Sequence, residues 1–250
     1  MADFVFKRYE LKYILSLSQY FKIKAELEKR LCPDKFGINT VQSLYYDTAD
    51  DRMIRTSLEK PVFKEKLRLR CYNLNDNDKD IFIEMKRKYD GVVYKRRISC
   101  KEKDAYKIFI EPQNTQIGKE LQYFQRFYGT LYPKMLILYD REAFFDGNSD
   151  LRVTFDRNVR YRKDNLNFYT SLEGETLVPK DSVLMEIKSA NAFPLWLCNL
   201  LCAENIKKQS FSKYGAAYKL EYDKRIYARS KVLCLNRFLQ TETYPQSVSL

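Results

Sequence analysis

Lysine and arginine alternate with apolar residues in several short stretches of this chain, and that spacing can do chemistry. In Lys66-Leu67-Arg68-Leu69-Arg70-Cys71 every second residue is cationic. Side chains alternate faces along an extended strand, so the three charges point the same way. Ile81-Phe82-Ile83-Glu84-Met85-Lys86 joins Glu84 to Lys86. Leu151-Arg152-Val153-Thr154-Phe155-Asp156 joins Arg152, Thr154 and Asp156, and Met185-Glu186-Ile187-Lys188 joins Glu186 to Lys188. Crowded cations repel one another unless an anion lies among them. The chemistry this suits is the binding of a polyanion, whether nucleic acid, acidic lipid or a phosphorylated small molecule. One such strand is ordinarily the solvated face of a sheet. Four of them, each with long apolar residues opposite, predict a charged interior instead.

The elements that must position these side chains follow from turn and periodicity signals. Asp90-Gly91 is a two-residue hairpin signal. Taken as the turn, it pairs Tyr89 with Val92, Lys86 with Lys95 and Glu84 with Arg97, all four charges on one face. Strands are predicted over residues 4–14, 41–46, 63–72, 81–88, 92–100, 135–144, 151–159 and 184–188. A helix capped by Ser18 runs to Leu31 and stops at Pro33. A helical insertion spans residues 101–128, broken at Pro112; Pro194 opens another helix through Ala203, and residues 214–238 form the last. Fold class is α+β: a closed antiparallel β-barrel with a charged lumen, an apolar exterior and helices packed outside. Residues 1–240 read as one domain and 241–250 as a polar tail.

Composition narrows the chemistry. Lys+Arg outnumber Asp+Glu by 45 to 33, a net charge of +12, which calls for an anionic partner. The chain has no histidine, which removes the commonest general base and the commonest transition-metal ligand, so a metal must be held by carboxylates, as Mg²⁺ or Mn²⁺ are. Glycine occurs only 7 times, and neither G-x-x-x-x-G-K nor G-x-G-x-x-G is present, so if phosphates are bound, side chains must do it. Six scattered cysteines without a C-x-x-C pair read as reduced thiols, with Cys198 and Cys202 as buried small residues of a helix. No stretch has the roughly 20 apolar residues of a membrane helix and residues 1–9 carry no secretory signal, giving a cytoplasmic expectation.

The ordered set Arg8-Tyr9-Glu10-Leu11-Lys12-Tyr13, Ser43-Leu44-Tyr45-Tyr46-Asp47-Thr48, Lys66-Leu67-Arg68-Leu69-Arg70, Glu84-Met85-Lys86 with Tyr94-Lys95-Arg96-Arg97, Tyr139-Asp140-Arg141, Leu151 to Asp156, Met185 to Lys188 and Phe211-Ser212-Lys213-Tyr214 resembles the VTC domain. That is the catalytic domain of the vacuolar transporter chaperone polyphosphate polymerase, in the triphosphate tunnel metalloenzyme superfamily. The resemblance runs from about residue 5 to 225. It implies an eight-stranded antiparallel tunnel barrel and transfer of the γ-phosphate of ATP onto a growing polyphosphate chain, assisted by Mn²⁺ or Mg²⁺. Carried over, the phosphate-binding catalytic cations are Lys12, Arg68, Arg70, Lys86, Lys95, Arg141, Arg152 and Lys213. Ser212 is a hydroxyl donor, and Lys188 and Arg97 join it in substrate binding. Glu186 is the metal ligand; Glu10 and Glu84 either bind metal or hold neighbouring lysines.

One departure separates branches of the superfamily. The hydrolase and cyclase branch carries E-x-E-x-K on its first strand, where this chain has Arg8-x-Glu10-x-Lys12, which favours the polymerase type. A tripolyphosphatase or nucleoside triphosphatase, and a non-catalytic polyphosphate-binding module, are the competing readings. The expected partners are ATP and inorganic polyphosphate. Inward charges exclude duplex nucleic acid, and a tunnel open at both ends would let product leave as substrate enters. No segment of the chain identifies a regulator or an export partner. Tyr45, Tyr46, Tyr94 and Tyr139 read as wall packing, Trp196 as core, Asp47 as a turn anchor with Thr48, and Asp156 as a partner of Arg152 or Arg141. Arg87, Lys88 and Arg96 read as exterior or hairpin-tip charge.

Overall fold

A computed structural model describes residues 9–72, 80–90, 92–105, 107 and 115–241. Arg8 and Pro112, and with Arg8 the comparison of the first-strand motif, lie outside the described residues, as does all but Thr241 of the polar tail. The chain begins with β1 (Tyr9–Ser16), α1 (Leu17–Glu28), the two-residue β2 (Cys32–Pro33) and β3 (Asn39–Asp47). Next come α2 (Arg52–Leu58), β4 (Phe63–Tyr72), β5 (Asp80–Tyr89), β6 (Val92–Lys101), α3 (Glu102–Ala105) and α4 (Gln116–Tyr128). It ends with β7 (Tyr132–Phe145), β8 (Arg152–Arg162), the two-residue β9 (Glu175–Thr176), β10 (Ser182–Ser189), α5 (Leu195–Ala203) and α6 (Lys213–Thr241). Every predicted strand has a counterpart, and the β5–β6 register is Tyr89 to Val92, Lys86 to Lys95 and Glu84 to Arg97, as the hairpin signal required.

The eight main strands run antiparallel in the order β1-β10-β8-β7-β3-β4-β5-β6. The expected closed barrel is corrected here: among the described residues β1 and β6 do not pair, and the sheet is a curled half-barrel with two edges. The outer edge of β1 is occupied by another segment, because Gln209 N donates to Lys12 O at 2.8 Å and the two residues form an isolated antiparallel bridge. A strand edge offers one set of hydrogen-bonding groups, and the approach to α6 uses it. Side chains span the gap instead, with Lys86 Nζ 3.2 Å from Glu10 of β1.

Helices cover the convex face. Tyr20, Ile23 and Leu27 of α1, with Leu197 and Leu201 of α5, pack on Tyr13, Val153, Phe155, Met185 and Ile187. Leu121 and Phe124 of α4 pack on Leu67, Leu69, Ile83 and Met85. These are the apolar positions of the alternating strands. The N-cap of α1 is Ser16 rather than Ser18: Gln19 N donates to Ser16 Oγ (3.2 Å) while Gln19 Oε1 accepts from Ser16 N (3.0 Å), a capping box. The helix ends at Glu28, ahead of Pro33, which pairs with Phe144. Cys198 is half-buried and Cys202 exposed, against expectation, because α5 turns only Leu197 and Leu201 fully to the core. Trp196 is only partly buried, with Arg30 stacked over its ring.

The concave face is not charged throughout. Val41, Tyr45, Met135, Ile137, Tyr139, Val159, Tyr161 and Leu184 form an apolar patch there, filled by Ile54 of α2 and by Tyr214 and Ala217 of α6. A β-bulge in β8 makes this possible. Asp140 opposes Arg157 but Leu138 opposes Arg160, so β8 carries one extra residue, and Asn158 takes a left-handed conformation (φ 47°). Parity therefore shifts: Thr154 and Asp156 face inward before the bulge, and Val159 and Tyr161 after it. Among the described residues no helix is long and apolar enough to cross a membrane.

Candidate functional site

The remainder of the concave face is a dense polar cluster, built from the alternating strands of β1, β4, β5, β6, β7, β8 and β10 and from the start of α6. Glu84 lies at its centre on one side. It is fully buried and meets four cations: Arg68 at 2.7 Å, Lys95 at 2.7 Å, Arg97 at 2.6 Å and Arg70 at 3.7 Å. Burial pushes its carboxyl up, but Arg68, Arg70 and Lys95 outweigh burial and hold it well below the usual range. Of the two roles the sequence allowed, Glu84 therefore has the geometry of a counter-ion that spaces its neighbours.

Across the groove, Asp156 accepts two bonds from Arg141 (2.6 and 2.8 Å) and a third from Lys213. Burial opposes ionisation here too, and Arg141 with Lys213 brings the carboxyl down to about 2. The Lys213 ammonium rests over the Tyr139 ring, 4.5 Å from its centroid, and Arg70 reaches the Tyr139 hydroxyl at 3.3 Å. The sequence left Asp156 open between Arg152 and Arg141; the partner is Arg141.

Between these clusters stand Glu10 and Glu186 with Lys12. Lys12 Nζ is 3.1 Å from Glu10 and 3.6 Å from Glu186, Lys188 is 2.8 Å from Glu186, and Lys86 reaches Glu10 from β5. Glu186 is shifted well below its ordinary value by Lys188, Lys12 and Arg141 despite burial, and Glu10 is lowered against burial chiefly by Lys86. These two carboxylates are the donor pair that fits a hard divalent cation. Among the described residues there is no cluster of three or more acidic, histidine or cysteine ligands, but Mg²⁺-type ions commonly use one or two carboxylates and take their other ligands from phosphate and water.

The structure brings together Lys12, Arg68, Arg70, Lys86, Lys95, Arg97, Arg141, Lys188, Ser212 and Lys213 with Glu10, Glu84 and Glu186. It does not bring Arg152 among them. Arg152 keeps register with Lys188, but its guanidinium turns to Asp34 at the rim (2.8 Å) and is half exposed. Arg87 and Arg96 pair with Glu120 on the outer side, and Arg87 also meets Glu65. Tyr94 is exposed rather than packed, and Tyr46 packs under the sheet.

Three further inward residues make polar contacts in the groove: Lys66 and Tyr72, not assigned from sequence, and Tyr45, read there as wall packing, which also stacks on Tyr214. Lys66 Nζ donates to Ser212 Oγ at 2.9 Å and, among the described residues, has no carboxylate within reach. Burial, then Lys86, Lys12 and Lys64, bring it down to about 8, only partly opposed by Tyr45. The Tyr45 hydroxyl accepts from Arg68 at 2.9 Å; although burial opposes this, Arg68, Lys66 and Arg70 lower it to about 8. Tyr72 accepts from Arg97 (3.0 Å) and Arg70 (3.4 Å). The signal for Lys66 was present, since it shares the face of Arg68 and Arg70. Among the described residues, ten cations (Lys12, Lys66, Arg68, Arg70, Lys86, Lys95, Arg97, Arg141, Lys188 and Lys213) thus face four carboxylates (Glu10, Glu84, Asp156 and Glu186). Such an excess in one groove creates a positive potential that attracts anions.

The sequence of residues 7–222 matches the VTC domain family, a span that contains every residue of this groove. The chain belongs to the VTC domain family. No curated protein matches it in sequence. Among solved structures, a candidate adenylate cyclase from Bacillus halodurans shares the fold at 10% identity, with a TM-score of 0.51 over 82% of this chain and 95% of that one. A candidate adenylate cyclase from Vibrio parahaemolyticus aligns at 12% identity and a TM-score of 0.47, over 86% of this chain and 99% of that one. The sheet of this VTC domain is a half-barrel rather than a sealed tube, with β1 and β6 unpaired among the described residues.

Proposed function

We propose that this VTC domain is a metal-dependent polyphosphate polymerase that moves the γ-phosphate of ATP onto the end of an inorganic polyphosphate chain. The observation that carries the reading is the excess of cations on one concave face, with Lys66 beside Ser212 and without a carboxylate. Phosphoryl transfer through a loose transition state needs positioning and charge stabilisation more than covalent help. Arg68 and Arg70, spaced by Glu84, and Arg141, braced by Asp156, present preorganised donors to phosphate oxygens. An arriving anion raises the proton affinity of Lys66 and Lys95, so both donate fully when substrate is bound.

In the transfer a terminal oxygen of the polyphosphate chain forms a bond to the γ-phosphorus. The bond from that phosphorus to the β,γ-bridging oxygen breaks, and ADP leaves with the electron pair. The acceptor oxygen is already ionised near neutral pH and needs no base. All four carboxylates of the groove are held ionised by cations and are weak bases, which favours such an acceptor over water. Glu10 and Glu186 are the residues that would hold Mg²⁺ or Mn²⁺, and the ion, when bound, neutralises charge on the transferring and leaving phosphates.

The test incubates purified protein with ATP and Mn²⁺ and resolves the products on a gel stained for polyphosphate. Long chains that depend on metal are expected. Orthophosphate without chains would replace this reading with a triphosphatase, and no turnover despite anion binding would replace it with a binding module.

A further inference from the structure

The charged face of β4 and β5 continues past the groove. Along these strands Arg68 opposes Glu84, but the next two inward pairs toward the β5–β6 turn are Lys66 with Lys86 and Lys64 with Lys88. Directly opposed like charges destabilise a sheet. Only Lys86 of the four has a carboxylate, Glu10; among the described residues Lys64, Lys66 and Lys88 have none within 4 Å. Lys60, at the end of the turn after α2, adds to the repulsion at Lys64: beyond the effect of burial, Lys88 and Lys60 lower the Lys64 ammonium. Lys64 is half-buried and Lys60 and Lys88 are exposed, so the row leads from the groove to solvent. Apart from Lys66, the cations of the groove are spaced by carboxylates; among the described residues Lys64 and Lys88 are not.

We infer that Lys64 and Lys88, with Lys60 beyond them, form a tail-binding track that holds the part of a linear polyphosphate extending past the triphosphate groove. This rests on the polyphosphate reading above and adds a direction to it: the chain lies along the β4–β5 edge of the groove. Successive ionised phosphates match cross-strand lysine pairs, and a ligand of three phosphates fills the groove without needing the track.

The experiment measures the affinity of the whole chain for tripolyphosphate and for long-chain polyphosphate at several salt concentrations. It compares the wild type with a Lys64→Gln/Lys88→Gln double variant and a charge-matched Lys119→Gln/Lys219→Gln control. The track predicts that the double variant binds tripolyphosphate within about twofold of wild type but long chains roughly tenfold more weakly, with a shallower salt dependence by roughly 0.7 per lysine lost; the control keeps both. Equal long-chain affinity in the double variant and wild type overturns the track while leaving the groove intact. Equal weakening of both ligands places the two lysines in the triphosphate site and also overturns it. Failure of every protein to bind tripolyphosphate overturns the polyphosphate reading itself. A charge-matched single-stranded oligonucleotide, bound through Lys64 and Lys88 more tightly than long-chain polyphosphate, would reassign the row to nucleic acid.

Discussion

Replacing Glu84 with Gln tests the electrostatic frame of the groove directly. The substitution keeps the shape and removes one charge from a fully buried position contacted by Arg68, Arg70, Lys95 and Arg97. Removing one partner from a buried ion pair costs about 3–5 kcal/mol because the other charge is left uncompensated. Lys95 and Arg97 are 41% and 36% exposed and gain solvation in return, so the lower figure, about 3 kcal/mol, applies. For a chain of this size that is a fall of roughly 6–12 °C in melting temperature. Thermal unfolding followed by circular dichroism, with and without tripolyphosphate, measures it. The added anion should raise the melting temperature of Glu84→Gln more than that of the wild type, because it replaces the lost counter-charge. The pH dependence has a fixed sign. The Glu84 carboxyl titrates lower in the folded chain than its ordinary 4.5, so its contribution is complete above that value and is lost as pH falls below it. The gap between wild type and variant should therefore close in acid. A variant that melts with the wild type, and whose response to Mn²⁺ is the property lost, would refute the counter-ion role and make Glu84 a metal ligand.

Glu186→Ala is expected to abolish metal-dependent turnover with its circular dichroism spectrum unchanged; Mn²⁺ titration of the activity is the check, and undiminished activity removes Glu186 from the metal site. Lys66→Gln should weaken tripolyphosphate binding by roughly tenfold, the loss of one charge-assisted contact. Because Lys66 titrates near 8 in the free protein, wild-type affinity should fall as pH rises through that value, and the fall should be smaller in Lys66→Gln. The fall that remains is shared by Lys95, also brought down to about 8, by burial and then by its neighbours Arg97 and Arg70, only partly opposed by Glu84, and by the Tyr45 and Tyr72 hydroxyls, which their neighbouring arginines lower to about 8 against burial. Calorimetric titrations between pH 6.5 and 9.5, as about the range needed to bracket the free lysine, would show an identical pH profile in the two proteins if Lys66 lies outside the site.

Much of the fold was legible because period-two patterning is a local property. Leu67, Leu69, Ile83 and Met85 announced one face, Arg68, Arg70, Glu84 and Lys86 the other, and Asp90-Gly91 fixed their register. What escaped was non-local or depended on a single backbone torsion. The α2 helix is seven residues long and is held by Asp47, whose carboxylate accepts from Thr48 N, Met53 N and Ile54 N; sequence showed the turn but not the helix it starts. The bulge at Asn158 inverts the parity of β8, so the inward Val159 and Tyr161 could not be separated from the outward Val153 and Phe155 by counting. Arg152 had the right parity, and its failure to join the site comes from Asp34, distant in sequence. Lys66 was passed over although it lies on the same face as Arg68 and Arg70; its lack of a carboxylate appears only when β1, β5 and α6 are assembled around it.

The open edge and the site have a common origin. A barrel closed by hydrogen bonds between β1 and β6 would leave no edge on β1 for Gln209 to pair with. That pairing carries the chain to Ser212 and Lys213, where Lys12 Nζ donates to Phe211 O at 3.3 Å and Lys66 meets Ser212. Tyr214 then stacks on Tyr45, with centroids 4.5 Å apart, and its hydroxyl donates to Asp47 at 3.3 Å, fixing the helix start against the apolar part of the concave face. The gap in the sheet is thus the entry through which α6 delivers a hydroxyl and an ammonium group to the groove. Closure across it rests on Lys86 with Glu10 and Lys66 with Ser212, contacts made by side chains that a bound polyanion competes for. A sheet sealed by backbone bonds would hold its width whatever it bound. In this one the contacts that span the opening use Lys66 and Lys86, two lysines of the proposed polyanion site, so under the proposed function a bound chain would draw on the same side chains that set the width of the groove.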